Sequence, residues 1–177
     1  MDKELAVLKV FFDDPLGQFH IREVARTTKL NHMTVRSYLN RYVKSGLLIK
    51  KQQKIYDTYV ANITSGKWKN LKLYDNLERL RESHIVEYIE KYYDYPTIIL
   101  FGSYAHATDT KESDIDIGII TNVKKQCSTD KYKAQLKKPT SVHMFTTKEF
   151  NSMKKTNPEL VNSICNGIVL SGQLEVV

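Results

Sequence analysis

A short apolar stretch that runs directly into a glycine and a serine places the firmest constraint on how this chain folds. Thr97–Phe101 is apolar and rich in β-branched residues, which is typical of a buried strand, and Gly102 and Ser103 follow it without a linker. A glycine at a strand end lets the backbone approach a ligand closely, and the next N–H groups can hold a phosphate at the start of a helix. The pattern therefore predicts a strand, a tight turn and a phosphate-binding helix start.

A second predicted strand begins ten residues after Ser103 and carries two carboxylates. Asp114 and Asp116 alternate with Ile115 and Ile117, so the two carboxylates point to the same face of the strand. Two carboxylates at that spacing repel each other unless a cation lies between them. Hard divalent ions such as Mg²⁺ meet that need and also bind the phosphates of a substrate.

Together the two segments resemble the signature of the DNA polymerase β-type nucleotidyltransferase superfamily, in particular its small, minimal members. The segments that carry the resemblance are Phe101–Ala105 and Ser113–Asp116. The resemblance implies a small mixed sheet flanked by helices, a glycine and a serine that cradle the triphosphate of an NTP, with ATP as the expected nucleotide, and two aspartates that hold Mg²⁺. The alternative is structural: a tight turn after one strand and an exposed acidic end of another.

The sequence departs from that family pattern at two places. Many relatives carry an Arg-Gly pair where this chain has His106 and Ala107. Active relatives also place a third carboxylate on a later strand, whereas the strand predicted at Thr140–Phe145 contains no acid. His143 on that strand can stand in as general base or metal ligand, or it is a structural residue. Glu149, the next acid along the chain, fits a helix capping box instead.

The first sixty residues follow a different plan, in which helical periodicity gives way to strand alternation. Apolar residues spaced three and four apart predict three helices before Gly46, and Asn31 is expected to cap the third of them. Residues 47–49 and 55–60 then read as two strands of a hairpin around the polar turn 50–54. The predicted order is helix, helix, helix and hairpin.

Positive charge concentrates in this part of the chain. Between His20 and Tyr56 there are nine basic residues and a single acid, Glu23, which makes the segment a candidate for contact with a polyanion. The polar face of the third helix and the turn that follows it carry the candidate contact residues, which are His32, Arg36, Ser37, Asn40, Arg41, Lys44, Lys50, Lys51 and Lys54.

The same region resembles winged helix-turn-helix DNA-binding domains. The resemblance rests on Phe19–Ala25, Thr34–Leu39 and Lys44–Leu48. It implies that the third helix enters the major groove of double-stranded DNA. His32, Arg36, Ser37 and Asn40 would then face base edges, while Arg41, Lys44, Lys50, Lys51 and Lys54 would contact phosphates. The alternative is a solvated basic face on a module for protein contacts or dimerisation.

These readings predict a chain of the α+β or α/β class in three parts, namely a winged helix at residues 1–62, connecting helices at residues 63–95 and a nucleotidyltransferase-like domain at residues 96–177. No apolar stretch approaches the roughly 18 residues of a membrane helix, and the N-terminus does not resemble a signal peptide. Cys127 and Cys165 lack metal or redox spacing and are expected to be free thiols. We therefore expect a cytoplasmic protein without membrane contact.

The leading functional hypothesis is a DNA-binding protein whose second domain uses Mg²⁺ and an NTP to transfer a nucleotidyl group to a hydroxyl, for example that of a protein Tyr, Ser or Thr. The alternative is a transcription regulator that has lost catalysis and senses nucleotides. Expected partners are double-stranded DNA, the NTP, a protein acceptor or toxin-like partner, and a second copy of the chain. The sequence leaves these hypotheses open.

Overall fold

The computed structural model describes residues 3–53, 56–123, 125 and 127–174. Lys54, one of the candidate DNA contacts, lies outside these ranges. The chain divides into two compact units, Met1–Lys72 and Leu73–Val177, and the division falls within the predicted connector. No helix in the described ranges has the length and apolar character needed to cross a membrane.

The first unit combines three helices with a small antiparallel sheet. Its elements in chain order are α1 (Lys3–Asp13), β1 (Gln18–Phe19), α2 (Ile21–Thr28), α3 (His32–Lys44), β2 (Leu48–Lys51) and β3 (Thr58–Ala61). The strands are arranged in the order β1-β3-β2. The three predicted helices are therefore present.

Local sequence signals explain where α3 begins and ends. The side chain of Asn31 accepts a hydrogen bond from the backbone N–H of Thr34 at 2.8 Å, which confirms the predicted cap. Gly46 adopts a φ of +77°, a left-handed conformation that glycine enters without strain. Val35 and Leu39 are fully buried in the core of this unit.

The hairpin differs from the prediction in the bounds of its strands. Lys50 and Lys51 belong to strand β2 and not to the turn, because the second strand starts only at Thr58 and pairs with Lys51. The short strand β1 adds a third member to the sheet, with Phe19 opposite Tyr59. A strand of two residues is too short to show an alternating pattern, so periodicity does not reveal it.

The second unit contains a four-stranded sheet with helices around it. Helix α4 (Gly66–Ser83) begins in the first unit and ends in the second. The elements that follow it are α5 (Ile85–Tyr93), β4 (Thr97–Phe101), α6 (Gly102–Ala105), β5 (Ile115–Ile120), a 3₁₀ turn (Asp130–Tyr132), α7 (Lys133–Leu136), β6 (Thr140–Phe145), α8 (Thr147–Thr156), α9 (Pro158–Cys165) and β7 (Ile168–Ser171).

The sheet is mixed, with strand order β6-β5-β4-β7. Strand β4 runs antiparallel to β5 and β7, whereas β5 and β6 are parallel. The two inner strands are buried almost throughout, and Ile98, Leu100, Ile117 and Ile119 have no exposed surface. The small mixed sheet flanked by helices is the arrangement that the polymerase β-type resemblance implies.

Candidate functional site

Three strands of the second unit meet at the two predicted motifs. Asp116 on β5 lies opposite Phe101, the last residue of β4, and on its other side opposite Ser141 near the start of β6. The end of β4, and with it Gly102, therefore lies beside the start of β5. This pairing brings the glycine-serine turn next to the two aspartates, as the spacing of the motifs predicts.

Gly102 lies close to the carboxylate of Asp116 and has a left-handed backbone conformation that favours glycine. A Cβ atom built on Gly102 would lie 2.4 Å from Oδ2 of Asp116, and the φ of +69° is strained for any other residue. Ser103 follows in the first turn of α6, and its carbonyl oxygen accepts hydrogen bonds from the backbone N–H groups of His106 and Thr108, at 3.2 and 3.0 Å. The turn is thus fixed by its own backbone.

Asp114 and Asp116 share a face with two polar side chains of β6. The hydroxyl of Ser141 donates a hydrogen bond to Oδ2 of Asp114 at 3.1 Å. Nε2 of His143 lies 3.6 Å from Oδ1 of Asp116, and the two side chains are 39% and 29% exposed, respectively. The structure therefore brings together both predicted aspartates and the predicted histidine in a solvent-accessible site.

The imidazole of His143 is oriented by an aromatic neighbour. Its ring centroid lies 5.2 Å from that of Phe101, with the rings in an edge-to-face arrangement. Phe101 thus links the end of β4 to the histidine that faces Asp116.

Ser141 is a site residue that the sequence does not single out. Strand alternation places it on the same face as His143, but nothing local shows which face of β6 meets the aspartates. Glu149, by contrast, caps helix α8 as predicted. Its carboxylate accepts the backbone N–H of Thr146 at 2.7 Å, and the Thr146 hydroxyl accepts the N–H of Glu149 at 3.2 Å.

The donor set suits a divalent metal that is held jointly with a nucleotide. Within the described ranges, no three His, Cys, Asp or Glu side chains are grouped so as to hold a metal by themselves. Mg²⁺ is usually bound through one or two carboxylates plus substrate phosphates, and it retains several waters. Asp114, Asp116 and the adjacent Gly102 turn therefore fit a metal–NTP complex better than a metal alone.

In the first unit, every candidate DNA contact within the described ranges is exposed. Those on α3 are His32, Arg36, Ser37, Asn40, Arg41 and Lys44, and those on β2 are Lys50 and Lys51, which point to opposite sides of the sheet. The polar face predicted for the third helix is therefore present.

Two of these basic side chains already have acidic partners. Arg41 forms an ion pair with Glu4 of α1 and lies over the Tyr38 ring, 5.3 Å from its centroid. Lys50 pairs with Asp57 at 2.6 Å, and this hydrogen bond raises the pKa of Lys50. The surface is consequently less positive than a count of basic residues suggests.

A groove of about 520 Å³ lies beside the start of α3. It is lined by residues of α2, α3 and the hairpin loop, including His20, His32, Met33, Arg36 and Tyr56. The ring of His20 packs edge-on against that of Tyr56, with centroids 5.6 Å apart. The groove adds aromatic and apolar surface next to the basic face.

The close approach of Gly102 to Asp116 yields a direct stability prediction. Gly102→Ala should lower the free energy of unfolding by at least about 1 kcal/mol, because it combines left-handed strain with a clash against Asp116. Gly118→Ala is the matched control on β5, where a Cβ atom meets only ordinary contacts. Thermal and urea denaturation of both variants test this, and equal stability of the two would contradict the geometry.

Comparison with known proteins identifies the second unit. The family described as "polymerase beta, nucleotidyltransferase" matches residues 83–175, which is more than half of the chain. The match spans all four strands of the mixed sheet and both sequence motifs. No curated protein matches the chain. The match, the two sequence motifs and the mixed sheet agree, and the chain belongs to the polymerase β nucleotidyltransferase family.

Proposed function

We propose that the second unit binds an NTP together with Mg²⁺ and transfers a nucleotidyl group to a hydroxyl acceptor. The observation that carries the proposal is the contact of Gly102 with Asp116, beside which Asp114 shares the same face. A phosphate-ready turn and a pair of carboxylates then meet at one point of the sheet. ATP is the nucleotide to test first, and a protein Tyr, Ser or Thr is the acceptor class.

Each residue of the site has a distinct role in this reaction. The backbone at Gly102 and Ser103 would hold the triphosphate, and Asp114 and Asp116 would hold Mg²⁺ against it. The metal would supply charge stabilisation at the phosphates during transfer. The acceptor oxygen forms a bond to the α-phosphorus, the bond from that phosphorus to the bridging oxygen of pyrophosphate breaks, and pyrophosphate leaves.

His143 is the proposed acceptor of the proton that the hydroxyl loses. It occupies the strand position that faces Asp116, and its Nε2 lies 3.6 Å from the carboxylate. The edge contact with Phe101 limits the orientations of the ring. A negatively charged neighbour stabilises the protonated imidazole that forms when the proton moves to Nε2. The absence of an acid from Thr140–Phe145 leaves the histidine as the candidate base on this strand.

Removing both carboxylate charges tests the nucleotide site. Asp114→Asn combined with Asp116→Asn should abolish Mg²⁺-ATP binding in calorimetry and leave thermal stability unchanged or higher, because the two carboxylates no longer repel each other. Glu112→Gln is the matched control, since it neutralises an exposed acid shortly before the same strand. Equal ATP binding by wild type and the double variant would show that the site lies elsewhere.

Replacing the histidine separates catalysis from binding. His143→Ala should reduce single-turnover transfer of label from ATP by roughly 10²- to 10⁴-fold, the usual contribution of a general base, while ATP affinity stays the same. His84→Asn serves as control, because the His84 side chain is 77% exposed at the start of α5. An unchanged rate in His143→Ala would rule out the histidine as the general base, but the proposal of an enzyme would still stand.

A second candidate function is nucleotide sensing without transfer. It is favoured by the lack of a carboxylate on β6 where active relatives carry one. In that case the protein binds Mg²⁺-ATP but transfers no label to itself or to any lysate protein. The single-turnover experiment on the wild type therefore decides between the two functions.

We also propose that the first unit is a winged-helix domain that binds double-stranded DNA. Support comes from the order of three helices and a hairpin, and from the exposed basic face of α3. Arg36 borders the apolar groove at the start of α3, where side chains of a recognition helix meet base edges. Lys44 of α3 and Lys51 of β2 are also exposed and would contact phosphates.

The ion pairs of this surface predict an order of effects on DNA binding. Arg36→Ala and Lys44→Ala should weaken binding at ~50 mM salt, and each lost phosphate contact should reduce the salt dependence by about one released counterion. Arg41→Ala should weaken it less, because Glu4 already neutralises part of that charge. Electrophoretic shifts across a salt series measure this. No shift by the wild type at ~50 mM salt would exclude DNA binding.

A further inference from the structure

A buried polar network joins the glycine-serine turn to the strand that carries the aspartates. Its centre is Asp109, whose side chain has no exposed surface. Nδ2 of Asn76 on helix α4 donates to Oδ1 of Asp109 at 3.0 Å and to the carbonyl oxygen of Tyr104 at 2.9 Å. The amide thus connects α6, which begins at Gly102, to the loop that leads to Asp114.

Lys138 reaches the same network from the turn before β6. Its Nζ lies 3.5 Å from Oδ2 of Asp109, and its side chain is only 10% exposed. The ammonium also donates to the carbonyl oxygen of Thr110 and, at 3.4 Å, to that of Ser113. A single cation therefore contacts both ends of the short segment that stops immediately before Asp114.

The turn around Lys138 is tied to both strands of the site. The carbonyl oxygen of Pro139, its neighbour, accepts a hydrogen bond from the backbone N–H of Ile115 at 3.0 Å. Two residues further along β6, Ser141 donates to Asp114. Displacement of Lys138 would therefore loosen the loop before Asp114, and contacts behind a carboxylate govern how accurately it is held.

We propose that Lys138 is a positioning residue for the nucleotide site. Its ammonium orders residues 109–113, and through them it fixes Asp114 beside the glycine-serine turn. The expected effect of Lys138 on nucleotide affinity rests on the proposed binding of Mg²⁺-ATP, whereas its effect on the loop does not. Lys138 touches neither the nucleotide nor the acceptor, so its effect passes through the loop.

Three variants separate the positioning role from the stability that a buried ion pair provides. Lys138→Met removes the carbonyl contacts and the ion pair with Asp109, whose buried carboxylate keeps the hydrogen bond from Asn76. Asp109→Asn removes the charge partner and keeps the lysine on the loop carbonyls. The double variant removes both charges and the carbonyl contacts. Lys148→Met, at an exposed lysine of α8, is the control for loss of one positive charge.

Hydrogen–deuterium exchange and calorimetry with Mg²⁺-ATP on the full chain test the proposal. Lys138→Met and the double variant should exchange faster in the peptide that covers residues 109–116 and should bind Mg²⁺-ATP roughly 10- to 100-fold more weakly. The double variant should nevertheless melt at a higher temperature than Lys138→Met. Asp109→Asn and Lys148→Met should keep the wild-type exchange and affinity.

The opposite results overturn it. If the double variant regains wild-type exchange in residues 109–116, Lys138 serves stability alone. The melting temperature and the loop exchange would then both depend only on whether the buried charges are matched. If Lys138→Met does not fold, the double variant still carries the test, because it also removes the buried negative charge of Asp109. Failure of the wild type to bind Mg²⁺-ATP refutes the proposed nucleotide function, and exchange then still decides whether Lys138 orders the loop.

Discussion

Asp116 is the second residue of β5 and Asp114 immediately precedes the strand, so alternation of side chains places both carboxylates on one face. Hydrogen bonds of β5 to β4 and β6 hold Asp116 in place. The repulsion between the two carboxylates must therefore be offset from outside the strand. Ser141 supplies a hydroxyl, His143 supplies an imidazole, and a bound cation would supply charge. The position of β5 in the middle of the sheet thus keeps the two carboxylates close to each other and to the side chains of β6.

The sequence predicts those parts of the fold that depend on local patterns. The caps at Asn31 and Thr146 and the two inner strands of the second unit follow from a few neighbouring residues each. The roles of Ser141 and Lys138 depend instead on the parallel register of β5 and β6, which no local pattern specifies. In the sequence, Lys138 looks like any solvated lysine.

Charge in the first unit illustrates the same limit. The strongly basic stretch stops at Tyr56, and the next residue, Asp57, pairs with Lys50 across the hairpin. Glu4 comes from a helix far earlier in the chain and pairs with Arg41. Counting charges within a window therefore overstates the potential of the surface, because the compensating acids lie outside the window. Arg36 and Lys44 become the more informative residues.

The site is divided between strands that differ in how firmly they are held. Among the described strands, β5 has a neighbour on each side, whereas β6 lies at an edge and pairs with β5 alone. Edge strands open at lower free energy than central ones, so His143 and Ser141 occupy the softer half of the site. Mutation can therefore exchange the group at position 143 without disturbing Asp116. The inner strand β5 thus holds Asp116 firmly, whereas the side chain at position 143 stands on the strand that opens more readily.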